Sequence, residues 1–418
     1  MKMMRKILLF LLCVACIGSA AHAYDFSFTK NGQTLYYNFL KDKNSVEVTY
    51  ENLAGQGQNY QDITGTLTIP EQVEWRGNTY NVTGVGDEAF NGCRGITILS
   101  LPQTVTSIGS NAFRECRGLS SLILPTTVTY IGDAAFWSCI SLSIVNIPHS
   151  LNTISAGTFA YCKALTTILI PRSVTTIENH AFRGCINLTT LILPASVTTI
   201  GNHAFEDCSS LSTLILPSTV TTIGSHAFRG CTSLVNLVLP NSITTIGDFA
   251  FRGCDKLTAV TLPDALTAIN DGTFVHCRSL SAIAIPSTLS TIGQEAFEGC
   301  SSLTSFVIPD SVTNIGWSAF NGCKNLAILV VGEHVENIGY DALQGCSHLE
   351  YVFLRGANPP KVDQNVFKDV PPSVTIHVPA TAYNDFRNNT TWSRFNIEKK
   401  GPVPQPVIDK AKERTRIR

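Results

Sequence analysis

The sequence predicts a β-rich solenoid of about 12 coils of 23 residues, each with one short strand and a short 3₁₀ or helical turn, capped at both ends. Three columns of residues predict it. Phenylalanine recurs every 23 residues at Phe90, Phe113, Phe136, Phe159, Phe182, Phe205, Phe228, Phe251, Phe274, Phe297 and Phe320, with Leu343 in the twelfth place. Cysteine follows three residues after each, through Cys93, Cys116, Cys139, Cys185, Cys208 and Cys231 to Cys346, and proline recurs from Pro102 to Pro309. A register without insertion over so many units means one supersecondary unit stacked on copies of itself.

The elements follow in chain order. Lys2, Arg5 and Lys6, an apolar run from Ile7 to Ile17 and then Ala21-His22-Ala23 read as a signal peptide over residues 1–23, too short for a membrane anchor. Export is therefore expected, to the cell surface or as a secreted chain, with the periplasm as the alternative. Cys16 as a lipoprotein cysteine is disfavoured, because Cys13 stands where such a site wants a leucine-like residue. Residues 24–65 do not repeat; Asn31-Gly32 is a turn signal between aromatic and β-branched runs, which makes this stretch an N-terminal β cap. Extra residues around Trp75 to Tyr80 read as a hairpin on the first coil.

The array itself spans 66–355, and the coil from Cys185 shows its logic. Leu191 and Leu193 alternate as a strand does, Pro194 ends that strand because it donates to no ladder, and Val197 with Ile200 makes a second inward turn. The segment ending in Ala204-Phe205 is sized for one helical or 3₁₀ turn. The aromatic stretch 356–397 is a C-terminal cap over the open end, and residues 398–418 are expected to be a disordered basic tail.

Composition narrows the function. Net charge is −1 and charged residues are 15% of the chain, which excludes the basic footprint of a nucleic-acid binder. No later apolar stretch reaches the roughly 18 residues of a transmembrane helix. Twelve of the 14 cysteines share one repeat position. Equivalent residues on stacked coils sit about 4.7–4.9 Å apart with parallel Cβ vectors, whereas a disulfide wants Cβ atoms about 3.8 Å apart and inclined together. They are expected to be buried free thiols that pack as small hydrophobes.

The unit typified by Cys185, Leu188, Leu191, Leu193, Pro194, Val197, Ile200, Ala204 and Phe205 resembles the 23-residue leucine-rich repeat of BspA-type bacterial surface proteins. The leading stretch from Ile69 to Phe90 and the closing Ile376-His377-Val378-Pro379-Ala380 resemble that family's flanks. The resemblance implies a leucine-rich repeat fold and a surface adhesin that binds host extracellular proteins and promotes aggregation. It implies no set of ligand-contact residues.

Two rows face outward on the predicted strands. One contains Ile123, Leu169, Ile192, Ile215, Val238, Val307, Val330 and Phe353; its neighbour includes Thr167, Thr190, Thr213, Asn236 and Tyr351, and neither carries a charge. An exposed apolar stripe marks an interaction surface, with Tyr351 and Phe353 as an aromatic anchor at its end. The competing explanation is that β-branched residues fill strands because they suit a pleated surface. The expected partner is an extracellular host protein or cell-surface component; the alternatives are a glycan, a purely structural envelope role, or weak self-association into longer rods.

The remaining columns carry weaker signals. His180, His203 and His226 form a histidine ladder, but zinc needs nitrogens converging at about 2.0–2.1 Å, which parallel coils do not supply, so the ladder reads as a solvated column. Arg114, Arg183, Arg229 and Arg252 share one place that Glu206 and Glu298 interrupt, and the pairs Thr175-Thr176, Thr198-Thr199, Thr221-Thr222 and Thr244-Thr245 make a hydroxyl ladder; both read as turn and surface positions. No catalytic, cofactor or metal residues are assigned. A uniform array offers no pocket for a group of perturbed pKa, so an enzyme is not expected.

Overall fold

The structure is a computed structural model that describes residues 24–50, 60, 62–363 and 365–399. The signal peptide assigned to 1–23 and the tail beyond 399 lie outside the described residues. The chain forms two compact units, divided between Ser150 and Leu151.

The first unit opens with an antiparallel meander, Phe26–Lys30, Gln33–Phe39 and Ser45–Thr49. The third strand then pairs in parallel with Asn78–Val85, which also carries Gln72–Trp75 as an antiparallel hairpin. Arg76 and Gly77, both at positive φ, make the hairpin turn. From there each coil adds one short parallel strand to each of two sheets: Ser107–Ile108 and Tyr130–Ile131 to one, Ile96–Ser100, Ser121–Leu122 and Ile144–Val145 to the other.

The second unit repeats this plan. Thr190–Ile192 pairs in register with Thr213–Ile215, and Thr199–Ile200 with Thr222–Ile223. The second ladder lies at the place the sequence marks as an inward turn, and in Thr199–Ile200 and Thr222–Ile223 the isoleucine is buried and the threonine half-exposed. Towards the C-terminus the strands lengthen to Ile328–Val331 and Tyr351–Leu354, and Asn396–Lys399 ends the sheet, so Glu398 and Lys399 belong to the cap rather than to the disordered tail expected from 398.

The segment around each phenylalanine is a run of overlapping four-residue turns. In the coil of Phe182, the amides of Ala181, Arg183 and Cys185 donate to the carbonyls of Glu178, His180 and Phe182, while those of His180, Phe182 and Gly184 donate to Asn202, Ala204 and Glu206 of the next coil. Alternate amides thus bond within the coil and across coils, which satisfies the backbone without a helix. Left-handed residues bracket the phenylalanine, His180 at φ 60° and Gly184 at φ 69°, each inside one of these turns, which keeps the run from becoming a regular 3₁₀ helix.

Behind these turns lies the core. The phenylalanine rings are buried and stack nearly parallel, Phe182 on Phe205 at 5.3 Å and Phe205 on Phe228 at 5.4 Å. Tyr60 heads the column in the first unit, stacked on Phe90 at 4.9 Å, with its hydroxyl donating to Thr49. In the second unit the aromatic end is Phe367, Phe386, Trp392 and Phe395, with the Trp392 indole N–H donating to Pro360.

The twelve cysteines from Cys93 to Cys346 are buried and free. Most of these thiols have a polar partner that packing alone does not require: Cys208 Sγ donates to the Phe182 carbonyl at 3.3 Å, Cys231 to Phe205 at 3.4 Å, and Cys185 to Phe159 at 3.2 Å. Burial pushes the Cys185 thiol up to about 12, so the thiolate is scarce near neutrality. In the native protein these thiols should resist alkylation at pH 7.5. After denaturation without reductant, nearly all twelve should titrate; a count near zero would show that they are oxidised instead.

Candidate functional site

The outer face of the strand ladder separates the predicted stripe into two classes. In the first unit Ile123 is 61% exposed, and Ile98 and Ile144 of the adjacent row are 50% and 59% exposed. In the second unit Leu169, Ile192, Ile215 and Val238 are 80%, 56%, 51% and 60% exposed. Ile192 and Ile215 are direct partners in the parallel register, so their side chains stand side by side. These are unusually exposed for aliphatic residues, and the rows around them contain threonine, serine and asparagine but no charge.

Val330 and Phe353 are not exposed. At 2% and 3% exposure they form a small outer core with the partly buried Val307 and Ile328. Alternation places them on the outer face as predicted, but His377, which follows Phe353 in the register, stacks on its ring at 4.6 Å. Arg355 reaches back to Asp310 at 3.0 Å in the same coils. The end of the stripe is thus closed by its own chain, and only Tyr351, 40% exposed, remains open there. The structure therefore corrects the partner-binding assignment of Val330 and Phe353.

The arginine and histidine columns converge on one carboxylate. Glu206, 1% exposed, accepts Arg229 Nη1 at 3.1 Å on Oε1 and meets His203 Nδ1 at 2.8 Å on Oε2. Arg183 Nε lies 2.9 Å from the same Oε2, a charge contact without hydrogen-bond geometry. The three imidazoles stack face to face, His180 on His203 and His203 on His226, each pair at 4.6 Å, and Phe249 continues the stack at 5.1 Å. Half-buried rather than solvated, His180 and His226 each keep a buried Nδ1 with no hydrogen-bond partner.

Ligand atoms of His180, His203 and Glu206 lie within 4.8 Å of one another. They do not fit a metal. Stacked rings only 12° from parallel keep their lone pairs in separate planes, so no one ion lies in both, and two guanidinium groups already hold the carboxylate. This group is an inter-coil ion-pair network whose acceptor is buried.

The hydroxyl ladder is also accounted for locally. Thr198, Thr221 and Thr244 each donate to the carbonyl of the threonine one coil earlier, at 3.3 to 3.4 Å. Where the N-terminal strands meet the first coils, a cavity of about 440 Å³ in the first unit is lined by residues including Glu47, Asp87 and Tyr130, and burial together with Asp87 raises the Glu47 carboxyl.

Stacked 23-residue coils with a buried leucine, cysteine and phenylalanine column define a leucine-rich repeat protein. The chain matches the BspA type leucine rich repeat region (6 copies) over residues 83–212, 198–327 and 267–398, and it belongs to that family. It is similar to a leucine-rich repeat protein from Bacteroides ovatus, with 27% identity and a TM-score of 0.60 over 85% of this chain and 100% of that one. The pneumococcal vaccine antigen PcpA is 19% identical with a TM-score of 0.51, covering 90% of this chain and 99% of its own, a likeness of fold alone. No curated protein matches the chain. Among the described residues, no helix is long and apolar enough to cross a membrane.

Proposed function

We propose that the chain is an exported, surface-associated binding protein that engages an extracellular protein through the open, uncharged part of its strand face. The observation that carries this reading is the run of aliphatic side chains left at 51–80% exposure at Leu169, Ile192, Ile215 and Val238. Packing does not explain them, since Val330 and Phe353 show that the same face can be closed when the chain supplies cover. Isolated exposed aliphatics are ordinary, but a contiguous apolar row bordered by uncharged polar residues marks a contact surface. Binding rather than catalysis fits the uniform coils. Membership in the BspA-type family supports a surface role without naming a ligand.

The test is capture of the purified protein on immobilised fibronectin, fibrinogen and a glycan panel. Protein capture that soluble glycans do not compete is the expected result. Capture by glycans alone would replace the protein-partner reading, and growth of particle size with concentration in light scattering would point to copies of the same chain.

A further inference from the structure

The histidine stack differs from every other column in the second unit: it places three titratable rings in contact and gives them one carboxylate. His180 faces His203, Arg183 and Glu206; His226 faces His203, Arg229, Arg252, Glu206 and the Phe249 ring. His203 lies between them against Glu206. The charges around the stack are thus three guanidinium groups and a single carboxylate that two of the arginines already engage. Protonating neighbouring rings 4.6 Å apart adds cations to a site that already has cationic excess.

These rings also stand at the left-handed turn position that other coils fill with residues such as Asn111, Phe249 and Ser318. Each occupies a left-handed position, φ 60° at His180 and 57° at His203 and His226, where a β-carbon is strained. The turn holding each ring is closed by bonds to the next coil, His180 to Asn202, His203 to Ser225 and His226 to Asp248. Directly behind lie Phe182, Phe205 and Phe228 and the thiols of Cys185, Cys208 and Cys231.

We propose that the His180–His203–His226 stack is an acid-responsive seam: protonation of the stacked rings loosens the turns of these three coils and bares the phenylalanine and cysteine columns behind them, while coils without the stack stay closed. The direction follows from linkage. Burial first, then the neighbouring His203, lowers the titration of His180 and His226 below 6.5. A base with a depressed folded value stabilises the closed form above its ordinary value, and that stability is lost as pH falls from there through the folded value. Opening is therefore expected below about pH 6.5.

The readout is site-resolved labelling of the native protein with 4,4′-dithiodipyridine at pH 7.5 and pH 5, followed by mass spectrometry. Taking the ratio of Cys185, Cys208 and Cys231 to Cys300, Cys323 and Cys346 cancels the reagent's own pH dependence. This ratio should rise at least tenfold at pH 5. In the His180→Asn/His203→Asn/His226→Asn variant it should not rise, since asparagine tolerates the left-handed backbone and carries no titratable ring. An unchanged wild-type ratio, equal acceleration of all six thiols, or a rise that persists in a variant with an unaltered thermal midpoint would overturn the proposal. If the variant does not fold, the wild-type ratio decides alone.

Discussion

Replacing Phe205 by alanine is expected to lower the unfolding free energy by about 3–5 kcal/mol, the cost of emptying a large aromatic site in a close-packed core. Phe205 is fully buried and stacks on Phe182 and Phe228, so the vacancy removes contacts from three coils together. Its carbonyl also accepts the Cys231 thiol, and its amide donates to Ala227 of the next coil. Because each coil contacts only its neighbours, collapse into the gap needs the two flanking coils to tilt together. Urea unfolding measures this directly. A loss below about 1 kcal/mol would show that the column is not the principal packing element.

Adding a single methyl group should cost nearly as much at the right glycine. A β-carbon on Gly224 would sit 2.5 Å from the Asn202 nitrogen and 2.5 Å from the Gly201 carbonyl carbon, all backbone and unable to rotate away. It would also press on the bonds that clamp these coils, Gly224 N–H to the Ile200 carbonyl and Ser225 N–H to Asn202 Oδ1, each 2.8 Å long. Gly224→Ala is therefore expected to destabilise by about 3 kcal/mol, at the upper end of overpacking costs. Gly253→Asn is the contrast. Gly253 has φ 70°, and a β-carbon there would find no atom nearer than 3.9 Å; asparagine accepts that backbone, so its effect should stay below about 1 kcal/mol. Equal thermal midpoints for the two variants would refute the close-approach argument.

The repeat was legible because a solenoid writes its geometry into sequence as a period: the phenylalanine and cysteine columns, and the coil as the unit, follow from the spacing alone. What period cannot encode is where one coil touches the next. The Cys208 thiol donates to a carbonyl 26 residues earlier, and that offset appears only once the coils are stacked. Tyr60 escaped notice for a related reason, since it heads the ring column from 30 residues before Phe90, outside the 23-residue register.

The candidate face was half legible. Alternation along a strand fixes which side a residue faces and not what covers that side, which is why Ile192 and Val330 read alike although one is open and the other sealed. The signal was available in the chemistry of the neighbours: the coils that bury Val330 are those whose outer row ends in Phe353 and His377 rather than in threonine. Glu206 was misread in a similar way, as an interruption of an arginine row. In the structure the interruption is the reason the row holds together, because one buried carboxylate gathers Arg183, Arg229 and His203.

The most direct test of the binding face is the affinity of the full chain for its captured protein partner, compared with that of Ile192→Asp/Ile215→Asp. Both side chains are more than half exposed, so aspartate is expected to leave the thermal midpoint unchanged while burying two charges in the contact. Affinity should fall at least tenfold, which is about 1.4 kcal/mol. Thr198→Asp/Thr221→Asp, which places the same charges at exposed positions on the other ladder, should bind as wild type. Unchanged binding by the Ile192→Asp/Ile215→Asp variant, or equal loss in both, would contradict the assignment of the open strand face as the binding surface.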